Sequence, residues 1–199
     1  MQIIGLLGGV ASGKSFVAKR FELFGAKVLD ADRIGHEVLL LPEVRDGIRN
    51  HFGDKVFGEN GQVDRKALGR IVFGPPPDGA RELLVLEQLT HPEIRRRLRG
   101  EADRMAADGV PAAILDAPVM LKSGWDKICS RMVYVDAPEE VRRERALSRG
   151  WTTEEFEARE AAQESLEVKR RRADFVIDNS ASAEYTQSQI ERFWHSLVG

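Results

Sequence analysis

The sequence predicts an α/β fold with a parallel sheet covered by helices, and three observations support this prediction. Apolar runs without alternation occupy residues 2–7, 112–116 and 131–136, as expected for strands that are buried on both faces. Helical patterns separate these runs, and parallel strands need crossover connections of this kind. A glycine-rich loop at residues 8–15 joins the first run to a helix. A chain of 199 residues is long enough for one such domain with insertions.

The glycine-rich loop has the sequence GGVASGKS and matches the phosphate-binding pattern G-x-x-x-x-G-K-[ST]. Glycines let the backbone curl around a phosphate, and the helix N-terminus that follows adds a partial positive charge. Lys14 is expected to reach the β and γ phosphates, and Ser15 to bind Mg²⁺. The sequence thus predicts a site for a nucleoside triphosphate. Its predicted residues are Gly8, Gly9, Ala11, Ser12, Gly13, Lys14, Ser15 and Phe16.

Acidic side chains follow two further predicted strands. Residues 27–30 predict a second strand, which leads into Asp30-Ala31-Asp32 and then a helix. In open α/β sheets ligands gather at the carboxyl ends of strands, so we expect these carboxylates beside the phosphates. A helix N-cap is the alternative role for either of them. Asp116 ends the third strand and is expected to act on Mg²⁺ through water.

Residues 39–106 predict helices, with only a doubtful strand pair around residues 56–57 and 63. Asp64 is expected to cap one of these helices. Residues 75–79, with the sequence PPPDG, predict a surface loop. Pro92 is expected to break the last helical pattern into two helices. A helical block of this length indicates an inserted substrate-binding segment.

The fourth and fifth strands, at residues 131–136 and 175–179, flank a highly charged stretch at residues 139–172. Thr152 and Glu155 predict a capping box within it. A solvated helical hairpin would explain most of these charges. In a nucleotide kinase, however, the segment at this place is a lid whose arginines fold over the triphosphate. A final helix follows and closes the domain.

Composition limits the classes of partner. The 30 basic and 32 acidic residues nearly cancel, which disfavours a nucleic-acid or anionic membrane partner. Without an apolar run of membrane-spanning length or a signal peptide, a cytoplasmic protein is expected. Cys129 is the single cysteine and is expected to be a small buried side chain. The four histidines lack metal-ligand spacing, so no zinc site is expected.

Five stretches of the chain carry a family resemblance: GLLGGVASGKS at 5–15, DAD at 30–32, HP at 91–92, DAPEE at 136–140 and ADFVIDN at 173–179. The phosphate loop alone would indicate only a large superfamily. The D-A-D sequence after the second strand and the A-D-F-V-I-D-N sequence near the end narrow the resemblance sharply. Together the five stretches resemble the dephospho-coenzyme A kinase family along nearly the whole chain.

The resemblance implies the last step of coenzyme A synthesis, in which ATP phosphorylates the 3′-hydroxyl of the ribose of dephospho-coenzyme A. It implies a P-loop kinase core of five parallel strands, with a helical acceptor-binding domain and a lid. Asp32 matches the carboxylate that accepts the hydroxyl proton. Arg145 and Arg149 match lid arginines, Asn179 lies where the family places adenine, and His91 falls in the block that holds the acceptor.

The family pattern also implies a division of the single domain. The core would comprise residues 1–35, 110–138 and 173–199, the acceptor-binding insertion 36–109, and the lid 139–172. A monomer or weak homo-oligomer is expected.

Four positions depart from the family pattern. Leu7, Ala11 and Phe16 replace a threonine, a glycine and a threonine, respectively. Lys122 stands where the family usually has glutamate, which reverses a charge near the expected acceptor site. Two other functions stay open at this point: a kinase for a nucleoside or nucleoside monophosphate, and a non-catalytic ATP-dependent binding module.

Overall fold

The structure is a computed structural model that describes residues 1–75, 77–117 and 120–198. Pro76 of the predicted surface loop and Pro118 after the third strand lie outside the described residues. None of the described helices is long and apolar enough to cross a membrane.

Five parallel strands form the sheet of the first of two compact units, which comprises residues 1–30 and 101–199. The strands are β1 Gln2–Gly8, β2 Lys27–Asp30, β3 Ala112–Asp116, β4 Arg131–Asp136 and β5 Phe175–Asp178. Their spatial order is β2-β3-β1-β4-β5, so β1 is central. The predicted α/β class and the parallel sheet are confirmed.

The strand register places several carboxylates at one edge of the sheet. Asp116 of β3 lies opposite Leu6 of β1 and opposite Asp30 of β2. Asp136 of β4 lies opposite Asp178 of β5. The loop that follows β1 therefore leaves the sheet at the same carboxyl edge as these acidic side chains.

Two helices of the first unit, α1 (Lys14–Glu22) and α9 (Ala183–Val198), supply the largest side chains of the core around the sheet. Phe21 of α1 is fully buried, and its ring centroid lies 5.9 Å from that of Phe193. Phe24, just after α1, stacks on Trp194 with centroids 5.7 Å apart. This packing fixes the start of α1 relative to β1, and with it the loop between them. A short 3₁₀ helix, Trp125–Ile128, precedes β4.

Three helices form residues 139–172, which we name the lid segment: α6 Glu139–Leu147, α7 Thr153–Ala161 and α8 Leu166–Arg171. The predicted capping box is present, because the Glu155 N–H donates to Thr152 Oγ1 at 3.2 Å and the Thr152 N–H donates to Glu155 Oε2 at 2.9 Å. The predicted two-helix hairpin is wrong. Ser165 starts the additional helix by accepting a hydrogen bond from the Val168 N–H at 3.3 Å.

The second unit, residues 31–100, is helical. Asp64 caps the helix Arg65–Val72 as predicted, accepting from the backbone N–H groups of Lys66 and Ala67 at 2.9 and 3.1 Å. The doubtful strand pair is a single antiparallel bridge between Phe57 and Val63. The elements that begin in this unit are α2 Ala31–Val38, α3 Pro42–Phe52, a 3₁₀ helix Asp54–Val56, α4 Arg65–Val72 and α5 Asp78–Ala107.

Helix α5 corrects two predictions. It begins at Asp78, inside the predicted loop, because an acidic side chain is favourable in the first turn. It also continues through Pro92, where a break was predicted. A proline removes one backbone donor from a helix, so the hydrogen bond from residue 92 to the Gln88 carbonyl is lost. The burial of Ile94, Leu98 and Ala102 after the proline outweighs the lost hydrogen bond.

Candidate active site

The phosphate loop, residues 8–15, connects the end of β1 to the start of α1. Gly13 caps α1 with φ of 96°, in the left-handed region that glycine tolerates. Ala11 adopts φ of 58°, which costs a residue with a side chain about 1–2 kcal/mol. Ser12 is 1% exposed, and its hydroxyl has no hydrogen-bond partner among the described residues. A buried polar atom of this kind fits a loop that is completed by a polar ligand.

Two residues that the sequence analysis singled out bind the carbonyl of Ser12. Arg145 Nη1 donates to it at 3.2 Å, and Asn179 Nδ2 donates to it at 2.8 Å. Arg145 Nη2 also donates to the Asn179 carbonyl at 2.8 Å. The Thr186 hydroxyl donates to Asn179 Oδ1 at 3.0 Å and so fixes the amide orientation. Asn179 is thus a buried brace of the loop, a role that the sequence did not predict.

Two cations that were not predicted as site residues bind further carbonyls of the loop. Arg142 Nη1 donates to the Val10 carbonyl at 3.4 Å, and Lys169 Nζ donates to the Gly8 carbonyl at 3.2 Å. Both cations are buried, at 3% and 4% exposure. A Cβ on Gly9 would lie 2.6 Å from Arg142 Nη1, so the approach of this guanidinium requires glycine there.

The carbonyls that accept hydrogen bonds from these side chains belong to every second residue of the loop, Gly8, Val10 and Ser12. In a planar trans peptide the N–H of the next residue points opposite to the carbonyl. The amides of residues 9, 11 and 13 therefore point away from the side chains that hold the carbonyls. This is the arrangement that an anion-binding nest needs.

The two buried cations differ in their counter-charge. Arg142 forms an ion pair with Glu160 and lies over the ring of Phe156 at 5.6 Å. Lys169 has only neutral partners among the described residues, the Gly8 carbonyl and Gln163 Oε1, the latter at 2.6 Å. Burial, followed by the charge of Lys14, lowers the pKa of Lys169 to about 8.

A cavity of about 360 Å³ opens beside the start of α1. Five of the predicted site residues line it: Gly13, Phe16, Arg145, Arg149 and Asn179. Burial, and then the charge of Arg149, lowers the pKa of Arg145. A concave site with two guanidinium groups and an aromatic ring fits an anionic, ring-bearing ligand.

The residues predicted for Mg²⁺ have oxygen donors, which this hard ion prefers. Ser15 lies exposed in the first turn of α1, and Asp116 lies at the end of β3, next to β1. The described residues contain no cluster of three or more His, Cys, Asp or Glu side chains that could hold a metal. Two protein oxygens fit Mg²⁺, which usually keeps several waters and binds substrate phosphates as well.

The two remaining predicted site residues lie in the second unit. Asp32 is in the first turn of α2, and its side chain is exposed. His91 lies within α5, one residue before Pro92. Burial lowers the pKa of His91, with Arg95 acting in the same direction and Glu87 against it. His91 is thus biased toward its neutral form.

Lys122, which stands where the family usually has glutamate, has a hydrogen-bond partner within the first unit. Its ammonium donates to the Ala162 carbonyl at 2.9 Å, at the C-terminal end of α7. A cation at a helix C-terminus is favourable, whereas glutamate there would be repelled.

Cys129 is a free, partly buried thiol, and burial raises its pKa to about 12. Such a thiol is not a nucleophile at neutral pH.

The sequence analysis missed Arg142, Gln163 and Lys169 as parts of the site. Lys169 is followed directly by three arginines, and no pattern of apolar residues in the sequence distinguishes the buried lysine from them. The glycine at position 9 was the one available signal for Arg142, because a second glycine beside Gly8 indicates a close approach.

Comparison with known proteins identifies the family. The model of the dephospho-CoA kinase family matches residues 2–184. A dephospho-CoA kinase of Symbiobacterium thermophilum is 43% identical over 204 residues, which cover 100% of this chain and 82% of the relative. One of Carboxydothermus hydrogenoformans is 38% identical, over 96% of this chain and 91% of the relative.

A solved structure agrees with these sequence matches. The crystal structure of TT1252 from Thermus thermophilus aligns with a TM-score of 0.85 and 33% identity, over 100% of this chain and 98% of that one. The match thus extends over the phosphate loop, the lid segment and the helical second unit. The chain therefore belongs to the dephospho-CoA kinase family of ATP-dependent phosphotransferases.

Proposed function

We propose that this chain transfers the γ-phosphate of ATP to the 3′-hydroxyl of the ribose of dephospho-coenzyme A, giving coenzyme A and ADP. The observation that carries the proposal is the phosphate loop, whose carbonyls at positions 8, 10 and 12 are held away from the face that its amides present. Membership of the family supplies the acceptor.

ATP would lie across the start of α1. The phosphates would bind the amides of the phosphate loop and Lys14, and the adenosine would occupy the cavity of about 360 Å³ that Phe16 and Asn179 line. Asn179 would line the adenosine cavity and brace the loop beside it, because its side-chain amide is committed to Ser12 and Thr186, its N–H to the Asp136 carbonyl and its carbonyl to Arg145.

Phosphoryl transfer spreads negative charge over the transferred group, so catalysis consists mainly of alignment and charge stabilisation. Lys14, Arg145 and Arg149 would supply the positive charge. Arg145 is already oriented by its two carbonyl partners, so little reorganisation is needed during the reaction. Ser15 and, through water, Asp116 would hold Mg²⁺, which neutralises charge on the phosphate oxygens when it is bound.

The acceptor hydroxyl needs a base and a binding surface. Asp32 would accept its proton, and a correctly placed carboxylate of ordinary basicity suffices when proton transfer is late. His91 would contact the acceptor from the helical insertion, residues 36–109, as a neutral imidazole. The lid segment would close over the triphosphate and exclude water.

We further propose that the enzyme works in the cytoplasm as a monomer or weak homo-oligomer, with small molecules as its substrates and no nucleic-acid partner. The near balance of 30 basic and 32 acidic residues supports the last point.

The test is a coupled ADP-release assay with MgATP and a panel of acceptors. Dephospho-coenzyme A should drive turnover, nucleosides and nucleoside monophosphates should not, and ATP alone should give little ADP. Asp32→Asn should lower kcat by about 100-fold or more, within the range for loss of a general base. Asp46→Asn, an exposed aspartate of α3, is the matched control and should leave kcat unchanged. Preference for a nucleoside monophosphate, or full activity of Asp32→Asn, would contradict the proposal.

A further inference from the structure

We propose that Lys169 is a positioning residue for ATP: it holds the Gly8 carbonyl beneath the phosphate loop and leaves a buried positive charge there that the bound phosphates neutralise. This inference rests on the proposed use of ATP but not on the identity of the acceptor. It adds to the loop a cation that does not belong to the G-x-x-x-x-G-K-[ST] pattern.

The contacts fix the ammonium in one place. Lys169 Nζ donates to Gly8 O at 3.2 Å and to Gln163 Oε1 at 2.6 Å, and the residue is 4% exposed. Gln163 lies just before α8, so the lysine is oriented by a residue of its own segment. The Gly8 peptide then directs the Gly9 N–H to the opposite side. Lys169 can therefore act on the orientation of this amide without touching the phosphate.

The charge arrangement is unfavourable without a ligand. A buried ammonium is costly unless it is paired, and the carbonyl and amide oxygens that hold Lys169 are neutral. The positive charge of Lys14 adds to this cost. A purely structural role would be served by a neutral donor such as glutamine. A lysine at position 169 is explained if a bound anion makes the local electrostatic potential negative.

Arg142 provides the internal contrast. It is as deeply buried and also binds a loop carbonyl, but Glu160 neutralises it. The charged groups that influence Lys169 are Lys14 and Arg142, which disfavour its protonated form, and Glu160 and Glu164, which favour it. Both glutamates together leave its pKa at about 8. Part of the population is therefore neutral near pH 8, and binding of a polyanion should bring the proton back.

The experiment measures MgATP affinity by titration calorimetry from pH 7.0 to 9.5 for the native chain, Lys169→Met and Arg171→Met. Arg171 is on the same helix, is exposed and pairs with Glu167, so it controls for the loss of one positive charge from α8. We expect Lys169→Met to raise the Kd about tenfold or more at pH 7, and Arg171→Met to change it less than about twofold. The tenfold effect should shrink as the pH rises, because the native lysine loses its proton.

A Kd for Lys169→Met equal to that of the native chain, or a loss of affinity that is the same at every pH, would overturn the proposal. If Lys169→Met does not fold, the native profile decides: affinity that is constant from pH 7.0 to 9.5 overturns it. A failure of the proposed function can be distinguished from a failure of this inference about Lys169. An absence of acceptor-dependent ADP release would leave the result of the ATP titration standing.

Discussion

The inner and outer faces of the lid segment carry similar charges that have different partners. On the inner face, Arg142, Arg145 and Lys169 donate to carbonyls of the phosphate loop. On the outer face, Arg143 and Arg171 pair with glutamates of the lid segment itself. The difference teaches that the composition of this charged stretch says little about function, because tertiary contacts decide which of its cations hold the phosphate loop.

The largest expected effect contrasts two arginines of α6. Arg145→Met removes a partly buried guanidinium that lines the cavity and is oriented by two carbonyls, so we expect kcat/KM for ATP to fall about 100-fold, as for loss of a preorganised donor. Arg143→Met removes partly exposed ion pairs with Glu139 and Glu157 and a cation–π contact with Phe156 at 5.3 Å, and it should lower kcat/KM less than about twofold. Steady-state kinetics at fixed acceptor concentration measures both. Equal losses in the two variants would abolish the distinction between the faces.

A second contrast uses two glutamates of α7. Glu160→Gln leaves the buried Arg142 without its counter-charge, and we expect the free energy of unfolding to fall by about 2 kcal/mol, less than for a fully buried pair because Glu160 is partly exposed. Glu157→Gln breaks an exposed pair with Arg143 and should cost less than about 0.5 kcal/mol. Urea unfolding at pH 7 measures the difference. If Glu157→Gln proves the more destabilising, burial is not what separates these pairs.

A smaller effect of opposite sign sharpens the picture of the loop. Ala11 has φ of 58°, so Ala11→Gly relieves left-handed strain and should raise the free energy of unfolding by about 1 kcal/mol. Ala158→Gly, at an exposed position within α7, should lower it by about 1 kcal/mol, the usual cost of glycine in a helix. A destabilising effect of Ala11→Gly would show that the alanine side chain stabilises the loop through packing.

The parts of the molecule that the sequence predicted are those encoded locally. The phosphate loop, the five strands and the Thr152 capping box each depend on residues within a few positions of one another. The Asp64 cap is of the same kind. Local patterns of this sort specify φ, ψ and hydrogen bonding before any distant contact forms, so they can be recognised without a structure.

The parts that were missed depend on tertiary contacts. Lys169 and Arg171 are two residues apart on one short helix, yet one is buried against Gly8 and the other is exposed. The position of the sheet relative to the helix decides this, and the sequence of α8 does not contain it. Pro92 shows the same limit, because burial around it preserves a helix that local propensity alone would end.

The most direct test of the distinction between the two faces is the number of protons that bind with MgATP at pH 8, measured by calorimetry in two buffers of different ionisation enthalpy. Because burial lowers the pKa of Lys169 to about 8 and bound phosphate raises it, the native chain should take up a measurable fraction of a proton per nucleotide. Arg171→Met should take up the same amount, whereas Lys169→Met should take up almost none. Equal uptake by the native chain and Lys169→Met would contradict the account, since the buried lysine would then not respond to the nucleotide.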